Sequence, residues 1–197
     1  MTVGPDGFVR CGWAYGSPEY IDYHDNEWGR AVRGDDPVFE RIVLEAVQSG
    51  LSWITILRKR DNFRAAFANF SISAVAEFTE ADVEKLLADA GIIRNRAKIE
   101  AAIANARAAA ELPEGLSDLV WSFAPTGRPG RPGGRRAAPK TLADVPAVTP
   151  ESTALAKELK RRGFRFVGPT TAYAHMQATG MVNDHLRGCI ARAACQP

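Results

Sequence analysis

Two groups of side chains in this chain have types and spacing that could do chemistry. The first is Glu45 with Trp53, eight residues further on. A carboxylate held near an indole at a helix junction suits a flat, nitrogen-rich ligand. The carboxylate accepts hydrogen bonds from ring N–H groups, and the indole stacks on the ring face. The same spacing also describes a solvated glutamate beside a core tryptophan. The second group is Cys11, His24, His185 and Cys189, the composition of a closed tetrahedral zinc site. His185 and Cys189 are four apart and share a face if their turn is helical. Such a site would staple the N-terminal segment to the C-terminal one. The spacing is unlike a common zinc finger and Cys195 is a competing thiol, so composition alone leaves the metal open.

These residues need elements to hold them. Residues 39–57, FERIVLEAVQSGLSWITIL, read as an amphipathic helix that breaks at Gly50 and restarts near Ser52. Phe39, Ile42, Val43, Ala46 and Val47 recur at helical spacing, with Glu45 on the edge of that stripe. RKRDNFRAAFANF continues as a short helix with a basic beginning. Residues 8–36 have no helical period but are dense in Trp13, Tyr15, Tyr20, Tyr23 and Trp28. Exposed aromatics on that scale are either packed down or line a site.

Residues 79–110 predict a helical hairpin. Thr79 is the expected N-cap, with Asp82 three residues on. Val83, Leu86 and Leu87 form the first apolar face, Gly91 is the expected left-handed stop, and Asn95 caps the second helix. The turn's N–H groups, the second helix's N-terminus, and Arg94, Arg96 and Lys98 around them make a natural phosphate site; an ordinary packing hairpin has the same pattern. Residues 151–162 predict another helix, and Pro169 opens one that runs to Gly180. Asn183 or Asp184 is read as the cap of a final turn carrying His185 and Cys189. With helices throughout and no alternating strand pattern, the fold class is all-α.

The 197 residues, 46% hydrophobic, suffice for one helical domain over 1–197 with its core at about residues 10–190. No run of about 18 apolar residues spans a membrane. The N-terminus lacks a signal-peptide pattern, and an odd three cysteines argue against a secreted disulfide framework, so a reducing cytoplasm is expected. The net charge of +2 conceals an asymmetry. Residues 1–120 hold 13 Lys and Arg against 19 Asp and Glu, whereas residues 121–197 hold 12 against 4. That second half would draw a polyanion such as DNA. Its most basic stretch, the Pro/Gly/Arg loop at 124–140, contains no acid and reads as a solvated linker or a non-specific nucleic-acid contact.

RCGW at 10–13, YIDYHDNEWG at 20–29, LEAVQSGLSWITIL at 44–57, DAGIIRNRAKI at 89–99, VWSF at 120–123 and KRRGFRFVGPTTAYAHMQATGMVNDHLRGC at 160–189 resemble the 3-methyladenine DNA glycosylase I family. That family belongs to the helix-hairpin-helix glycosylase superfamily. The resemblance covers nearly the whole span from Arg10 to Cys189. It implies one structural zinc ion held by Cys11, His24, His185 and Cys189. It implies that Glu45 contacts the modified adenine, and that Tyr23 and Trp53 stack on it, with Trp13 and Tyr20 in the pocket wall. Ser49, Gly50 and Leu51 match the segment that presses into the gap left by the extruded nucleotide. Gly91 to Lys98, with Arg94 between, match the phosphate-binding hairpin. Ile93 stands where many such hairpins have a second glycine, and His175 matches no role.

The implied reaction is release of 3-methyladenine from alkylated double-stranded DNA, a step of base-excision repair. The base must first leave the stack. Methylation at N3 makes it cationic, and it departs neutral, so less acid–base help is needed. No aspartate matches the superfamily's water-activating carboxylate, which leaves Glu45 as a recognition group first. No lysine stands out as a Schiff-base nucleophile, so simple hydrolysis without strand cleavage is expected. A monomer, nucleoid-associated when bound to DNA, is expected as well. A zinc-stabilised DNA-binding module without catalysis would keep the hairpin and metal set but not need Glu45 with Tyr23 and Trp53. A helical protein–protein adaptor would need neither.

Overall fold

The structure, a computed structural model, describes residues 1–126 and 137–195. Most of the basic loop expected at 124–140 therefore lies outside the described residues. Nine α-helices are described: α1 (Pro18–Asn26), α2 (Asp35–Gln48), α3 (Trp53–Ala66), α4 (Ile72–Ala76), α5 (Glu80–Ala88), α6 (Arg96–Ala110), α7 (Leu116–Trp121), α8 (Pro150–Arg161) and α9 (Pro169–Ala178). The expectation of no strand needs one small correction. Strands β1 (Thr2–Val3) and β2 (Val9–Arg10) pair antiparallel, with Thr2 opposite Arg10.

Helix α2 is the axis of the fold. It packs against α3, α4, α6, α7 and α9. Val38, Phe39, Ile42, Val43, Leu44, Ala46 and Val47 are all buried, so the helix is covered on nearly every side. Glu45 is enclosed with them at 7% exposure. The stripe read from spacing placed it at an edge. In the fold α9 and α1 close over that edge.

Sequence-local chemistry sets several helix ends. Thr79 and Asp82 form the expected capping box at α5, and the Asn95 side chain accepts from the Lys98 N–H at the start of α6. The stop after α5 is different from the expected one. Helix α5 ends at Ala88 with Asp89 extended, and Gly91 is not among the positive-φ residues. Instead, a Cβ on Gly91 would lie 2.9 Å from Asp89 Oδ1 and 3.2 Å from the Asn62 side chain, so glycine is there for close packing within the turn and against α3.

After α9 the chain turns back through Gly180 at φ +73°, where a Cβ would sit 2.7 Å from the backbone of Gly29 and Arg30. Only glycine allows this approach. It brings the segment that follows α9 against the segment that follows α1. Asn105 of α6, itself buried, grips the loop before α9 at both backbone groups of Arg165, at 3.1 Å and 2.7 Å. The next residue, Phe166, is held at φ +56° with its ring 45% exposed.

Candidate functional site: an aromatic pocket beside a metal cluster

Helices α1, α2, α3 and α9 surround a cavity of about 340 Å³ lined by Trp13, Tyr20, Tyr23, Trp28, Glu45, Gln48, Trp53, Ala174 and Gln177. Tyr20 and Tyr23 are three apart on α1, Glu45 and Gln48 on the last turns of α2, and Ala174 and Gln177 on α9. Each pair therefore presents one helix face to the cavity. Trp53 is the first residue of α3, and Trp13 comes from a short turn at Gly12–Gly16. The Tyr23 and Trp53 rings lie 5.5 Å apart at 46°. Trp13 stands edge-on to Tyr20 at 5.8 Å and to Trp28 at 5.1 Å. The Tyr20 hydroxyl accepts from the Ile54 N–H at 2.9 Å, which ties α1 to the first turn of α3.

The pocket's polar groups are left open. Arg41 Nη2 and Arg60 pair with Glu27, at 3.0 Å and 2.6 Å, while Arg41 Nη1 is buried without a partner among the described residues. The Glu45 carboxyl has no hydrogen-bond partner among the described residues. Burial pushes its pKa up to about 8, and the Arg41 charge offsets only part of that. Burial, then the Glu45 charge, pushes the Tyr23 phenol up as well. The Trp53 Nε1–H is buried without a partner among the described residues. An acceptor and a donor are therefore unmet within an aromatic cage, an arrangement that a flat heterocycle could complete.

Cys11, His24, His185 and Cys189 converge next to this pocket, all buried, with their ligand atoms within 4.8 Å of one another. His24 Nε2 and His185 Nδ1 are 3.2 Å apart, and Cys189 Sγ lies 3.3 Å from the first and 3.6 Å from the second. Cys11 Sγ is 3.9 Å from His185 Nδ1. A tetrahedral ion bonded to nitrogen and sulfur at ordinary lengths needs edges of about 3.4 Å and 3.6 Å. The set therefore fits a metal ion.

The hydrogen bonds agree. His24 Nδ1 pairs with Asp25 Oδ1 at 2.7 Å, and His185 Nε2 with the Trp28 carbonyl at 2.9 Å. Each imidazole spends its N–H outward and turns a lone pair inward. Two facing lone pairs and two sulfurs in a dry space could hold a cation among them. Asp25 is itself held by Arg10, at 2.9 Å and 2.8 Å, and the Leu186 N–H donates to Cys11 Sγ at 3.3 Å.

His185 and Cys189 do not lie on a helix as expected. Residues 181–189 form an irregular turn, closed by Cys189 N–H to Leu186 O at 2.9 Å, with Gly188 at φ +95°. A spacing of four brings the two ligands together across this turn instead. Cys195 lies on the far side of His185, 3.5 Å from Nε2, and so does not compete for the inward face.

The remaining sequence-selected residues sit on the surface beside the pocket. Ser49, Gly50 and Leu51 form the exposed turn between α2 and α3, with Gly50 at φ +81° in open space. Gly91 and Arg94 lie in the turn between α5 and α6, where Arg94 is exposed. Arg96 is engaged by Glu80, Glu84 and Glu100. Lys98 points inward. Trp28 is among the aromatics of the 8–36 segment expected to pack down or line a site, whereas Gln48, Ala174 and Gln177 have no expected role. Of these, Gln48 carried a signal, since it stands one turn after Glu45 on the same face.

The chain matches the methyladenine glycosylase family over residues 13–193. It is 50% identical over 183 residues to DNA-3-methyladenine glycosylase 1 of Escherichia coli (strain K12), covering 91% of this chain and 95% of that one. A crystal structure of 3-methyladenine DNA glycosylase I superposes with a TM-score of 0.85 at 47% identity, covering 96% of this chain and 100% of the other. A Tyr-to-Phe variant of such an enzyme in complex with 3-methyladenine superposes with a TM-score of 0.84 at 30% identity, covering 93% and 97%.

Proposed function

This chain belongs to the methyladenine glycosylase family, and from that premise we propose that it releases 3-methyladenine from alkylated double-stranded DNA by hydrolysis, leaving the strand uncut. It is a DNA-3-methyladenine glycosylase of base-excision repair. The observation that carries the mechanism is the unpaired Glu45 carboxyl facing a cavity walled by aromatic rings.

The nucleotide leaves the stack, which costs a few kcal/mol. Its base enters the cavity and stacks on Tyr23 and Trp53, with Trp13, Tyr20 and Trp28 around it. A base carrying a positive charge gains about 0.5–2 kcal/mol at each ring face. It also restores the charged form of Glu45, which burial alone disfavours. A neutral adenine offers neither gain, so the pocket reads the charge of the lesion as well as its shape. Glu45 accepts the base's N–H groups and stabilises it as the glycosidic bond breaks. Ser49, Gly50 and Leu51 fill the vacated gap, and the α5–α6 pair, acting as a helix-hairpin-helix, tracks the backbone with Gly91 and Arg94.

The metal fitting Cys11, His24, His185 and Cys189 is zinc, one ion per chain. The donor set of two thiolates and two imidazoles selects it. Its part is structural: it holds the N-terminal aromatics against the turn after α9. The protein acts as a monomer in the cytoplasm.

Incubation with methylated duplex DNA tests the reading. Free 3-methyladenine should appear, and the strand should break only after alkali. DNA binding without base release would leave a zinc-stabilised binding module. Breaks without alkali would refute simple hydrolysis.

A further inference from the structure

Lys98 is the third residue of α6. A cation in the first turn of a helix works against the helix dipole, so its placement there needs a compensating partner. The structure supplies one in the opposite end of α2. The Lys98 ammonium donates to the Val47 carbonyl at 2.8 Å and to the Ser49 carbonyl at 2.7 Å. These belong to the last turn of α2 and its C-cap, where carbonyls lack helical partners and the dipole is negative.

The rest of the turn is equally committed. Ser49 N–H donates to Ala46 O at 3.3 Å and Leu51 N–H to Gln48 O at 2.7 Å. The Gln48 side chain donates to Leu51 O at 2.6 Å, and Gln48 also lines the base pocket. In the other direction, Lys59 of α3 donates to the carbonyls of Ala90 and Gly91 in the hairpin turn, at 2.9 Å and 3.1 Å. Two lysines thus cross between the two surface loops, each satisfying the carbonyls of the other's neighbour. The side chains of the first loop stay exposed, and its tip at Gly50 faces open space.

We infer that Lys98 is a positioning residue for base extrusion: it fixes the Ser49–Leu51 turn to the α5–α6 hairpin, so that turn, hairpin and base pocket meet the duplex as one rigid body. This rests on that turn entering the duplex, as proposed above. With Lys98 removed, the turn keeps its backbone bonds but loses its anchor to α6. The extruded state then loses its support, while the pocket for the free base is unchanged.

The test compares the parental protein with Lys98→Met and Lys98→Arg. Three quantities are read: single-turnover release of 3-methyladenine from duplex DNA, binding of free 3-methyladenine, and the salt dependence of binding to undamaged duplex. In Lys98→Met, release should slow by about tenfold or more, the loss expected for charge-assisted hydrogen bonds. Free-base binding and the salt slope should match the parent, and Lys98→Arg should recover much of the rate. A salt slope lower by about one phosphate, with the single-turnover rate kept, would make Lys98 a phosphate ligand instead. Parental release by Lys98→Met overturns the inference, as does loss of free-base binding alongside release. If the parent itself releases no base, the proposed function fails first and takes this role with it.

Discussion

The Trp13 indole meets the His24 imidazole edge-on, with ring centroids 5.1 Å apart and planes at 70°. One is a wall of the base pocket and the other a member of the metal cluster. The cluster and the pocket therefore share a boundary, which Trp28 extends by meeting the His185 ring at 4.7 Å, and damage to one reaches the other through these ring contacts.

His24→Ala removes one of the four candidate metal ligands and one of the rings against which Trp13 packs. Structural metal binding contributes directly to folding free energy. The variant should lose zinc and melt at a lower temperature, and its affinity for free 3-methyladenine should fall. Elemental analysis of protein purified without chelator measures the first. Zinc at parental stoichiometry in this variant would remove His24 from the ligand set.

Glu45→Gln separates function from stability. The carboxyl's pKa in the fold, about 8, lies above its ordinary value of 4.5. Its contribution is therefore complete below pH 4.5 and is lost as pH rises towards 8. Glutamine escapes that loss, so the variant should be more stable than the parent at pH 8 and nearly level with it at pH 4.5. Base release should nevertheless fall about ten- to a hundredfold, the cost of a charge-assisted hydrogen bond. Urea unfolding at both pH values, beside excision kinetics, checks both. Unchanged excision would return Glu45 to the role of a bystander.

His175 gives the opposite sign. It is buried among Ile42, Leu155, Leu159, Val167 and Thr171, and neither ring nitrogen has a partner among the described residues. Burial first, and then the Arg41 charge, pushes its pKa from 6.5 down to about 3. The unfolded chain takes up a proton there that the fold refuses, so stability falls as pH drops from 6.5 towards 3. His175→Leu should be the more stable protein, and its lead should widen by up to about 1.4 kcal/mol per pH unit across that window. A constant lead across the same window would mean that the ring titrates normally.

Asn105→Ala should cost about 0.5–1.5 kcal/mol, because it removes the two hydrogen bonds by which buried Asn105 holds the Arg165 backbone. The loop before α9 would then be free to relax Phe166 out of its left-handed conformation. Hydrogen exchange at Arg165 and Phe166 should quicken more than exchange in α2. A thermal midpoint equal to the parent's would show that the two bonds carry no net stability.

The helices were legible because their signals are local. Thr79 with Asp82, Asn95 with Lys98, and Pro169 each act within one turn of the chain, and each lies where spacing put it. Gly91 misled because a glycine after a helix suggests a left-handed cap, whereas here the constraint comes from the Asp89 carboxylate folded onto the turn and from Asn62, 29 residues away. The metal set had the same limit. Types and counts named the four ligands through resemblance, but a separation of 174 residues between Cys11 and His185 carries no period to read. The turn that aligns His185 with Cys189 imitates helical spacing without being a helix. Lys98 shows what pattern cannot tell: its type and place suited a phosphate, and only the approach of α2's C-terminus reveals where its ammonium goes.

The cluster also has a consequence for the order of events during synthesis. Cys11 and His24 leave the ribosome early, and their partners His185 and Cys189 follow only after all nine described helices have been made. Until then Trp13, Tyr20 and Tyr23 have helix partners in α2 and α3 but nothing to clamp their outer side. A nascent chain that has reached α8 can bury much of its core yet cannot hold a base. Competence to excise should therefore arrive late in synthesis, when the short turn carrying His185 and Cys189 closes against Cys11 and His24.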